Sequence, residues 1–97
     1  MNLTDTLQTV ATGSTKSTGV VALIFCNHTA VNETIDVYVI PNGESQGDEH
    51  TILKEVIVEA KDTVTFNEKV ILNDGDTIEA KASTSGSVAL TVSYKDL

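Results

Sequence analysis

Tryptophan and arginine are missing from this chain of 97 residues, which holds one cysteine, one proline, two tyrosines and two phenylalanines. A lone cysteine cannot close an intrachain disulfide, so a stapled secreted scaffold is excluded and the fold rests on its core. Without arginine, the usual bidentate donor to carboxylate and phosphate is gone. Basic residues number 6 against 14 acidic ones, a formal net charge of −8, and such a surface repels phosphate. Nucleic acid is therefore not an expected partner. No run approaches the length of a membrane span, so no membrane partner is expected either. The opening MNLTDTLQTVATGSTKS has neither a basic start nor an apolar stretch of leader length, which predicts a chain without a secretory leader.

What is present points to strands. Apolar residues make up 40% of the chain, and valine and isoleucine rather than aromatics dominate them. β-Branched side chains favour the pleated sheet. The run GVVALIFCN, residues 19–27, is apolar on both alternating faces and reads as a central strand covered on both sides. Cys26, near its end, is expected to be a buried reduced thiol packed against a second sheet. TIDVYVI sets Ile35, Val37 and Val39 against Asp36 and Tyr38, the pattern of a half-buried strand. The polar NHTAVNE between these two runs has the length of a hairpin connection.

Pro41, Gly43 and Gly47 mark a flexible loop before TILKEVIVEAKD, where the cluster Val56-Ile57-Val58 favours a strand over a helix. TVTFNEKVIL breaks its alternation at Asn67-Glu68-Lys69, consistent with two short strands or one bulged strand. Asp74-Gly75 is the strongest turn signal and predicts a tight hairpin with positive φ at Gly75. Thr84-Ser85-Gly86 is expected to join TIEAKAS and SVALTVSY as a further hairpin. The fold class is all-β: a single antiparallel β-sandwich, Ig-like or jelly-roll-like, of about seven to eight short strands. Residues 1–17 read as an N-terminal arm or edge strand, and 18–97 as the β-sandwich domain.

Candidate chemistry is sparse. Cys26 and His28, two residues apart, would need His50 or an acidic side chain to complete a zinc site, against the alternative of a packed cysteine and a solvated histidine. Asp74-Gly75-Asp76 resembles the front of a calcium loop but lacks the later ligands and closing glutamate, so a turn is the simpler reading. Asn2, Asn27 and Asn32 each begin a glycosylation triplet, which matters only in a secreted protein. There is no nucleophile elbow and no phosphate-cradling glycine loop, and the two histidines lie in or beside predicted loops. No catalytic, cofactor-binding or metal residue is assigned, and no cofactor is expected.

The segments VALIFCNHTAVNETIDVYVIPNGES and KEVIVEAKDTVTFNEKVILNDGDTIEAKASTSGSVALTVSY, together spanning roughly residues 18–95, resemble a group of small β-sandwich virion proteins of tailed bacteriophages. The most specific part is Gly75-Asp76-Thr77-Ile78 with Ala80, Ala82 and Ser83. At the start, TVATGSTKSTG replaces the group's usual apolar strand and Pro-Gly-type turn. The resemblance implies a non-enzymatic structural protein of the virion, assembled in the bacterial host cytoplasm and present as a homo-oligomer or in many copies. Its implied partners are the major capsid protein or neighbouring virion proteins. A capsid decoration or cement protein on the outer capsid lattice is the first expectation, and a neck, tail, baseplate or fibre component the second. A carbohydrate-binding or adhesion module shares the sandwich but commonly needs aromatic platforms, of which this chain has few.

Overall fold

A computed structural model describes residues 1–96. Eight strands are present: β1 (Gln8–Thr12), β2 (Thr18–Asn27), β3 (Glu33–Ile40), β4 (Thr51–Val58), β5 (Thr63–Phe66), β6 (Val70–Leu72), β7 (Thr77–Ala82) and β8 (Val88–Asp96), with one 3-10 turn at Asp48–His50. They form two antiparallel sheets, as expected for a β-sandwich. One runs β1-β7-β3-β4. In the other, β8 lies along the full length of β2, so β5 and β6 share the opposite side of β2 end to end. The break at Asn67-Glu68-Lys69 thus separates two collinear strands.

The core forms where the inner faces meet. Val20, Leu23, Phe25, Leu72, Val88 and Leu90 come from one sheet, and Ile35, Val37, Val58, Ile78, Ala80 and Ala82 from the other. Leu3, fully buried, joins them. Its place shows how the N-terminal segment is used. The main chain of Met1 exchanges hydrogen bonds with Leu90, and Leu3 N–H donates to Val88, so residues 1–3 form a short stub on the edge of β8. The chain then crosses to the other sheet, where β1 pairs with β7.

Three expected hairpins are arches instead. β2 and β3, β6 and β7, and β7 and β8 each lie in opposite sheets, so their connections span the sandwich. Among the described residues, β3–β4 is the single pair of consecutive strands bonded to each other. Gly75 does hold positive φ, at 83°. Its N–H donates to the Gly13 carbonyl, and the Gly13 N–H donates to Asp76, so the turn locks against the start of the β1–β2 connection.

The burial expected of β2 and β3 is exchanged between them. β2 is covered on one face only: Leu23, Phe25 and Asn27 are buried, while Ala22, Ile24 and Cys26 look outward and are half-exposed. Cys26 therefore does not pack against the second sheet. β3 is buried on both faces, with Val37 and Tyr38 both inaccessible despite being adjacent. The cause is a bulge in β4. Between the pairs Ile35↔Val56 and Val37↔Leu53, the residues Lys54 and Glu55 together oppose Asp36, and Glu55 takes φ 51°. The extra residue folds polar cover over the outer side of β3.

Candidate interaction surfaces

The stretch Cys26-Asn27-His28-Thr29 is a strand end organised around a buried amide. Asn27 is fully buried. Its Nδ2 donates to the carbonyls of Val31 at 2.8 Å and Val58 at 2.9 Å, and its Oδ1 accepts from the Thr29 N–H and hydroxyl. An amide with both hydrogens committed inside the fold cannot accept a glycan. Cys26 points away from this hub, His28 is exposed, and His50 pairs with Glu44 at 3.2 Å in the loop before β4. Among the described residues, no three His, Cys, Asp or Glu side chains converge where a metal ion could sit. Asp76, the second carboxylate of the Asp-Gly-Asp turn, uses Oδ2 to accept from the Asn73 N–H and Oδ1 from the Asn42 N–H. It ties two loops together as a structural acceptor.

The two outer faces differ sharply in charge. On the β3 sheet, Asp36 pairs across to Lys81, and Tyr38 to Glu79. Asp36, only 7% exposed, accepts from the Glu55 N–H at 2.7 Å and has Lys54 and Lys81 ammonium groups at 3.6 and 3.8 Å. Lys54 also donates to the Tyr38 hydroxyl at 3.4 Å. That hydroxyl first, and the Asp36 carboxylate second, raise the Lys54 pKa above its usual 10.5. Nearby, Ser83 joins Glu33 to the Thr34 N–H. Asp36, Lys54, Lys81 and Tyr38 thus form a connected ionic network on this face.

The outer face of the β2 sheet is the opposite. The cross-strand rows read Ala89, Cys26 and Thr63, then Thr91, Ile24 and Thr65, then Ser93 and Ala22. Every one of these side chains is uncharged. Lys95, two residues beyond Ser93 and opposite Gly19, is the charge that ends the patch. Val21 and Ile71, both more than 40% exposed, extend the apolar surface of this sheet. No family model, curated protein or solved structure matches the chain.

Nothing in the local sequence marked these faces as different. Cys26, Ile24 and Ala22 read as core because their strand is apolar throughout, and only the cross-strand threonines and serines, Thr63, Thr65, Thr91 and Ser93, signal an exposed side. Those residues are distant in sequence and meet β2 only through the register. Asp36 was visible as an outward polar residue, but its two lysine partners come from β4 and β7.

Proposed function

We propose that this is a non-enzymatic structural protein of a tailed-bacteriophage virion, a capsid decoration or cement protein that packs on the outer capsid lattice. The observation that carries the reading is the uncharged Thr/Ser/Ala/Ile face of the β2 sheet on a chain of net charge −8. Such a face is suited to docking: threonine and serine hydrogen-bond across an interface, and no carboxylate or ammonium group has to be stripped of water. The remaining surface is acidic, which keeps many copies apart in solution and directs contact to this one face. Multivalent attachment to a repeating lattice then compensates for a modest single contact. The resemblance of its strand and turn sequence to small virion β-sandwich proteins supports the same reading.

The test is to tag the protein in an infected host, purify particles and locate the tag by imaging. Label over the head supports decoration, and label at the neck, tail or fibre moves the protein to that part of the virion. Particles without label, together with binding of the purified protein to soluble glycans, would replace the proposal with an adhesion role.

A further inference from the structure

Sheet edges invite pairing with other chains, and natural proteins block them with bulges, breaks and charges. Three of the four edges in this sandwich are blocked in such ways. β4 carries the Lys54-Glu55 bulge with positive φ at Glu55. The β5/β6 edge is interrupted at Asn67–Lys69. β1 is bulged between Thr9 and Ala11. The fourth edge, β8, is covered over Val88–Leu90 by residues 1–3, and from Thr91 to Asp96 its partners among the described residues lie on the β2 side. Because Leu90 exchanges both main-chain bonds with Met1, the period of two turns the N–H and C=O groups of Val92 and Tyr94 toward the same open side.

Beside this open edge lies a cleft of about 450 Å³, floored by β1 through Val10 and Ala11 and bounded by Tyr94, Thr18 and Asp96. Tyr94 is 63% exposed at its rim. The vacant lane continues the stub of residues 1–3 and has β1 beneath it. This fixes what can enter. The β8 strand of a second copy is unsuitable, because it would bring its own second sheet into the space β1 holds. A single extended segment with nothing packed below it fits.

The geometry points to the β8 edge as an acceptor for an extended arm of a partner protein, about six residues long, bound by strand addition. The arm runs antiparallel to β8 with its C-terminal end toward Met1. The residues opposite Val92 and Tyr94 face the cleft and are small or β-branched and apolar, matching Val10 and Ala11. The residue opposite Asp96 is basic, answering that carboxylate and the acidic balance of the chain. This inference goes beyond the virion reading and does not depend on it.

The probe is the synthetic peptide Lys-Thr-Val-Thr-Val-Thr, titrated into the full chain while amide exchange is followed by NMR. Strand addition slows exchange at Val92 and Tyr94 by about tenfold or more, with little change at Thr91 and Ser93, which face β2. Y94P removes the donor that only the added strand uses, and edge strands tolerate proline where the N–H faces solvent. The variant stays folded and loses the effect. Fusing the same six residues directly before Met1 removes the question of affinity, and the fused chain shows the same protection and a higher denaturation midpoint. Equal protection from a scrambled peptide, retained protection in folded Y94P, or exposed Val92 and Tyr94 amides in the fused chain would each overturn the proposal.

Discussion

The side-chain nitrogen of Asn27 donates to the carbonyl of Val58 at 2.9 Å and so fastens the end of β2 in one sheet to the end of β4 in the other. The same amide holds Val31 and Thr29, making one buried residue the clasp of this end of the sandwich. Replacing it strands several main-chain groups away from water. Asn27→Ala is expected to cost about 3 kcal/mol, since each buried group left unpaired carries its own desolvation penalty. Chemical denaturation measures it, and a midpoint within error of wild type would show that water can replace the clasp.

Gly13 and Gly75 depend on one another. A Cβ at Gly13 would fall inside contact distance of the Asn73 carbonyl oxygen, and Gly75 holds a φ of +83° that β-branched residues avoid. Gly75→Val should therefore destabilise by about 1 kcal/mol or more through backbone strain. Gly13→Ala should cost at least as much, because the atom in the way belongs to the main chain. An unchanged melting profile for either variant would contradict this account of the turn.

The N-terminal segment is part of the sandwich. With Leu3 fully buried, Leu3→Ala is expected to lose about 2 to 5 kcal/mol, the range for deleting a core leucine. Deleting residues 1–7 should destabilise the domain further and expose the Val88–Leu90 edge. A truncated chain with undiminished stability would instead mark this segment as a dispensable arm.

The ionic network on the β3 sheet has a pH signature. The pKa of Lys54 is raised in the folded state, so the folded chain holds that proton more tightly than the unfolded one. Its contribution to stability is full below the ordinary lysine value of 10.5 and is lost as pH rises through the folded value. Tyr38→Phe, which removes the largest cause of the shift, should bring the Lys54 titration back toward 10.5. NMR titration of the Lys54 side chain gives the answer, and an identical curve in the variant would assign the shift to Asp36 alone.

Strand positions were largely legible in the sequence because alternation and β-branching are local signals. GVVALIFCN, TIDVYVI and TIEAKAS all became strands near their expected bounds. Connectivity was not. An Asp-Gly turn between two apolar runs looks the same whether the flanking strands pair with each other or cross to opposite sheets, so the turns at Asp74-Gly75 and Thr84-Gly86 read as hairpins. Burial at Cys26 and Tyr38 departs from the local pattern for a related reason. Whether an outward side chain is covered depends on the neighbouring strand, and the β4 bulge that covers Asp36 and Tyr38 is recorded by a positive φ at Glu55, a residue with no preference that announces it. The uncharged face needs Thr65 and Thr91 to be placed beside Ile24, which only the register does.

Attachment of the protein to a virion through the uncharged β2 face is checked by measuring how much of each of three chains is retained on purified particles. Thr91→Lys puts a charge in the middle of that face on an exposed side chain, while Thr9→Lys puts the same charge on the outer side of the other sheet, opposite Glu79. Both substitutions lie on exposed strand positions and should leave stability within about 0.5 kcal/mol. Wild type and Thr9→Lys are expected to be retained on particles, and Thr91→Lys, though folded, to be lost. Equal retention of all three chains, or no wild-type protein on the particles, would contradict attachment through that face.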